Sequence, residues 1–179
     1  MLQANNNQYK IGLIIFLAAI AVRILFLYLN YGNIAEIPSS AIAAPDGYLT
    51  VAESLLAGQG FSQHSASIPF TFTPQTERLP LYPLFIASLV YIFKSYVAVL
   101  IAQIILSSII PILGWQISQY FIKHPGVNLA VAIALIIEPL SVYLSGILIA
   151  EVLFTLLFLA ALLYFLRYQK NPGYRDIIL

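Results

Sequence analysis

The chain has 179 residues, of which 61% are hydrophobic and only 8% charged, with eight Lys or Arg against seven Asp or Glu. A soluble domain carries about 25% charged residues, so this composition, with mean hydropathy +0.91, points to an integral membrane protein. No basic stripe of the kind a nucleic-acid binder needs is present, and the absence of cysteine excludes disulfides, thiol nucleophiles and Cys metal sites.

The first apolar run, residues 11–29, is long for a signal-peptide core and contains Arg23. The small-residue stretch 41–44 lies too far downstream to serve as its cleavage site, so the run reads as a retained transmembrane helix. A polar-to-mixed loop follows over residues 30–79. Within it, Tyr48, Ala52, Leu55 and Leu56 fall on one face of a short amphipathic helix. Asp46 stands at the N-cap position and Gly58 at C′.

Residues 80–94 are apolar but short for a span. Residues 96–121, 127–144 and 147–166 are each long enough to cross a bilayer, with a kink expected at Pro111. No internal repeat is evident. The expected fold is therefore all-α: a polytopic transmembrane bundle with an extracytoplasmic loop carrying short juxtamembrane helices.

Lys and Arg near the span ends fix the expected orientation. If residues 80–94 crossed the membrane, Lys123, Arg167, Lys170 and Arg175 would face outward. If they form a juxtamembrane or partly inserted helix, those residues and Lys10 are cytoplasmic, while Arg78 and Lys94 are outside. The second arrangement obeys the positive-inside rule. It places the N-terminus in the cytoplasm and Asp46, Arg78, Glu138 and Glu151 towards the outer face of the cell (inner) membrane.

These residues allow chemical and bland readings. Asp46 is an N-cap or a general base, and the two are compatible. Arg78 is an interfacial arginine, with Tyr82 in the aromatic belt, or a phosphate-binding guanidinium. Arg23, Glu138 and Glu151 lie in apolar spans, where an Asp, Lys or Arg at the helix centre costs about 2.5–3.5 kcal/mol on insertion scales. They are structural pairs or the lining of a polar site. His64 and His124 have no supporting motif.

Three segments taken in order, "APDGYLTVAESLLAGQGF" (44–61), "TERLPLYPLFIA" (76–87) and "SGILIAEVLFTLLFLAALLYFL" (145–166), resemble the N-terminal part of GT-C glycosyltransferases. The similarity is to the branch that includes protein O-mannosyltransferases and the aminoarabinose transferase of lipid A, and it covers nearly the whole chain. The resemblance implies transfer of a sugar from a polyprenyl-phosphate carrier to a lipid, glycan or protein acceptor on the outer side of the membrane. It implies Asp46 as catalytic base or acceptor-orienting group, and Tyr48, Arg78, Tyr82 and Glu151 as substrate-binding residues. Some relatives carry adjacent acids in the first loop, whereas Gly47 follows Asp46 here. A two-acid metal site is therefore in doubt, and a divalent metal is a possibility without an assigned ligand. Such enzymes are several hundred residues long, so the chain is expected to be an N-terminal portion or an inactive fragment. The alternative is a non-enzymatic transporter or assembly subunit, motivated by the intramembrane charges.

Overall fold

The computed structural model describes residues 6–33, 37–43, 47–64, 72–74 and 78–170. It is an all-α bundle of eight helices among the described residues: α1 (Asn6–Tyr31), α2 (Ser39–Ile42), α3 (Tyr48–Leu56), α4 (Leu81–Phe93), α5 (Tyr96–Phe121), α6 (Pro125–Ile137), α7 (Pro139–Ser145) and α8 (Glu151–Lys170). Three of them, α1, α5 and α8, are long and apolar enough to cross a membrane, and α6 with α7 would make a fourth span if the bent pair counts as one. At 1.5 Å per residue α4 is about 20 Å long, short of a hydrocarbon core of about 30 Å.

Helix α5 is the hub and packs against α1, α4, α6, α7 and α8. Ser95 caps it by accepting from the Val97 N–H at 3.2 Å, which satisfies one of the donors a helix start leaves open. The helix is unbroken across Pro111, where the ring removes one ladder donor. One turn on, Gly114 faces α6 so closely that a Cβ there would overlap Leu135 Cδ1.

The expected span 127–144 is broken. Pro139 disfavours helical geometry at the preceding residue, and Glu138 sits at φ −57°, ψ 115°. The two halves meet at 48°. Glu138 caps the second half, its carboxylate accepting from the Leu140 N–H at 3.0 Å and from the Ser141 N–H. The last helix begins at Glu151, four residues later than the apolar run, because the segment before it pairs elsewhere. The Leu148 N–H donates to the Ile42 carbonyl at 2.7 Å, in an isolated parallel bridge with Ala43.

The loop carries its expected short helices and also a small antiparallel pair, β1 (Ser62–His64) with β2 (Phe72–Pro74), in the register Gln63 opposite Thr73. Helix α3 starts one residue later than the sequence suggested. Its N-cap is Gly47 at φ 75°, a left-handed geometry that glycine adopts without a Cβ penalty. Its C-terminus ends as expected at Gly58. The Gly58 N–H bonds the Leu55 carbonyl at 3.1 Å and the Gln59 N–H bonds the Ser54 carbonyl at 2.9 Å, the paired bonds of a Schellman motif. Three residues of the expected face pack on the core, Ala52 fully buried with Tyr48 and Leu55 beside it, while Leu56 is exposed and Val51 and Ser54 are buried in addition.

Two apolar clusters divide the bundle. At the end nearer the loop, Leu27, Ile42, Ala52, Tyr82, Ile86, Val99, Leu100, Ile104 and Leu148 pack together. At the other end, Ile15 and Ala19 of α1 meet Trp115 of α5 and Ala132 and Ile136 of α6.

Candidate functional site

The site is built where α3, α4 and α5 meet the α7–α8 connection. Helix α3 presents Tyr48 at its first turn. The Tyr48 ring meets Tyr82 edge-on, with centroids 5.2 Å apart and planes at 81°, the geometry aromatic quadrupoles favour. The Arg78 guanidinium lies over the Tyr48 ring, Cζ 5.5 Å from its centroid, within the range of a cation–π contact. Arg78 itself is partly exposed. Its Nε, however, is buried and finds no hydrogen-bond partner among the described residues. A buried guanidinium N–H without an acceptor is costly, so this N–H is a donor left unused among the described residues.

Tyr82 forms the base of the site. It is 3% exposed, stacks on Phe85 at 5.9 Å, and donates from its hydroxyl to Gln103 Oε1 at 2.5 Å. Gln103 is 1% exposed. Its Nε2 in turn donates to the carbonyls of Leu144 at 2.9 Å and Ile147 at 2.5 Å. One amide thus ties α4 and α5 to the connection that leads into α8. Burial, followed by the nearby Glu151 charge, pushes the Tyr82 phenol well above its ordinary range. Tyr82 therefore stays a neutral donor rather than acting as a base. Glu151 is exposed at the first position of α8, where the helix dipole favours a carboxylate.

Four of the five residues singled out from sequence fall in this region: Tyr48, Arg78 and Tyr82 in a contact chain, with Glu151 close enough to Tyr82 for its charge to be felt. Asp46 lies outside the described residues. Among those described, no group of three or more His, Asp or Glu side chains stands together. Glu53 is a tether away from this chain of contacts, its Oε1 accepting from the Tyr96 hydroxyl at 3.0 Å.

Sequence reasoning missed Gln103. The signal was available, since an amide two turns inside an apolar span needs partners for both ends. Two of the three intramembrane charges, Arg23 and Glu138, have structural employment. Arg23 is fully buried and donates to Ser107 Oγ at 2.7 Å, to the Ala19 carbonyl at 3.2 Å and to Ser141 Oγ at 3.1 Å. Ser141 also donates its backbone N–H to Glu138. The expected Arg–Glu pairing is thus relayed through a serine rather than made by direct hydrogen bonding. Compared with family models, with curated proteins and with solved structures, the chain matches none.

Proposed function

We propose that this chain carries part or all of a GT-C-type glycosyl-transfer site, moving a sugar from a polyprenyl-phosphate carrier to a lipid, glycan or protein acceptor at the outer face of the cell membrane. The observation that carries this reading is the Arg78 guanidinium held on Tyr48 with its Nε buried and unpartnered. A glycosyl phosphate departs as an anion, and a preorganised, desolvated guanidinium is worth most where charge develops on the leaving oxygen.

In the proposed reaction, the acceptor hydroxyl oxygen bonds to the anomeric carbon as the carbon–oxygen bond to the phosphate breaks. The bonding pair leaves with the phosphate, beside Arg78. The acceptor proton passes to Asp46. A single displacement of this kind inverts the anomeric centre. Tyr48, Tyr82 and Glu151 border the sugar and phosphate. Lys10, Lys123, Arg167 and Lys170 collect at the end of the bundle away from this site, and the positive-inside rule supports a cytoplasmic N-terminus with the site facing outward. The transport reading has less support, because Arg23 and Glu138 are engaged in capping and hydroxyl contacts.

The test is transfer from a polyprenyl-phosphate sugar donor by the full-length protein and by Asp46→Asn. Loss of a general base costs about 10²–10⁴-fold, with membrane insertion unchanged. Full transfer by the variant removes Asp46 from the mechanism.

A further inference from the structure

A cavity lies at the end of the bundle away from the candidate functional site, between the start of α1, the end of α5 and the start of α6. It measures about 740 Å³, within the 300–1,000 Å³ range of small-molecule sites. Its walls include Ile14, Ile15, Trp115 and Leu129, and its polar lining includes Lys123 and Asn128. The exposed flanks of α1 and α6 beside it, with Ile14 66% and Leu129 44% exposed, belong to helices whose free surface faces acyl chains if the bundle sits in a bilayer.

Two features show what fits. Asn128 is 5% exposed and its Nδ2 donates to the Ile122 carbonyl at 3.1 Å. That bond fixes which way the amide points, because a flipped amide would set oxygen against oxygen. Among the described residues, Asn128 Oδ1 is left buried without a donor. Charge is the second feature. Lys10, Lys123, Arg167 and Lys170 lie at this end, whereas the described carboxylates Glu53, Glu138 and Glu151 lie towards the other. Of these four cations, Lys123 is the one among the cavity-lining residues, while Arg167 bonds Gln116 Oε1 at 3.0 Å and Lys170 sits over the Tyr120 ring.

We infer that this cavity is a binding site for an anionic phospholipid with a hydroxylated headgroup. One acyl chain lies along Ile14, Ile15 and Leu129, the phosphate sits at Lys123, and a headgroup hydroxyl supplies the donor that Asn128 Oδ1 lacks. The inference is independent of the sugar-transfer reading.

Trp115 is the only tryptophan in the chain and forms part of the cavity wall, so it reports occupancy directly. The full-length protein is placed in nanodiscs of unlabelled phosphatidylcholine containing a small fraction of either dibrominated phosphatidylglycerol or dibrominated phosphatidylcholine, and quenching of Trp115 fluorescence is followed against mole fraction. The brominated phosphatidylglycerol should half-quench at a mole fraction about fivefold lower, the size of one lysine's attraction for an anionic lipid. Lys123→Gln, an exposed position that leaves the fold intact, should remove that preference. The double variant Arg167→Gln and Lys170→Gln should retain it. Equal quenching by the two lipids in the parent protein overturns the inference. So does a preference that survives Lys123→Gln, or one that disappears only with Arg167 and Lys170, which would mark diffuse surface charge.

Discussion

Replacing Gln103 by Leu tests whether one buried amide holds the site together. The change keeps side-chain bulk roughly constant but strands three polar groups: the Tyr82 hydroxyl and the carbonyls of Leu144 and Ile147. At about 1–3 kcal/mol for each buried group left unpaired, the cost is about 3–9 kcal/mol. Membrane proteins give about 0.6 kcal/mol per interhelical hydrogen bond, which lowers the figure to about 2 kcal/mol. The lower value is about twice the centre of the distribution for single substitutions, and the upper end lies beyond its usual range of about 0.5–3 kcal/mol. The sharper result comes from the double-mutant cycle with Tyr82→Phe, measured by reversible unfolding in mixed detergent micelles. Tyr82→Phe alone leaves Gln103 Oε1 without its donor. In the Gln103→Leu background the phenol has lost its acceptor and keeps only its backbone contact with Ile149, so removing it costs less than in the parent. The pair should be non-additive by at least about 0.6 kcal/mol. Additivity within about 0.3–0.5 kcal/mol would refute the shared bond and with it the account of how Tyr82 is positioned.

Two further substitutions test the frame around the site. Glu138→Ala removes the carboxylate that caps α7 and should cost about 1 kcal/mol in the same unfolding assay, while Glu138→Gln, which keeps an acceptor oxygen, should cost less. Gly114→Leu should separate α5 from α6, because even a Cβ overlaps Leu135. Overpacking of this kind costs about 1–3 kcal/mol, read as a lower unfolding midpoint, and Leu135→Ala in the same chain should recover part of the loss.

The helical class and the positions of the apolar helices were legible because backbone groups in lipid must be satisfied within a helix, which leaves a plain run of apolar residues. The helix over residues 81–93 was legible by its shortness, and the end of α3 by Gly58. The break at Glu138 was half visible: Pro139 announced it, but the apolar run continues on both sides and hydropathy alone reads one span. Composition does not carry the late start of α8, because Leu148 is as apolar as its neighbours and its role in the bridge to Ala43 depends on a segment a hundred residues away. The short strands β1 and β2 escaped for a similar reason, three residues each being too few for a period of two to stand out. At the site, Tyr48, Arg78 and Tyr82 are picked out by the resemblance to GT-C enzymes, since position alone reads Arg78 and Tyr82 as interfacial side chains. Gln103 was hidden inside a span, where attention goes to charge before amides. The two intramembrane acids also parted ways: Glu138 caps a helix, whereas Glu151 stands at the edge of the site.

The central claim is that Arg78, on its Tyr48 platform, holds a lipid-linked phosphate. Equilibrium binding of a short-chain polyprenyl monophosphate to the full-length protein in neutral detergent tests it most directly, with Arg78→Ala and Lys123→Gln measured beside the parent. A hydrogen bond to a charged group is worth about 1.5–3 kcal/mol, so Arg78→Ala should weaken binding at least about tenfold, while Lys123→Gln leaves it unchanged. Equal affinity in the parent and Arg78→Ala, or a loss that follows Lys123 instead, would contradict the account.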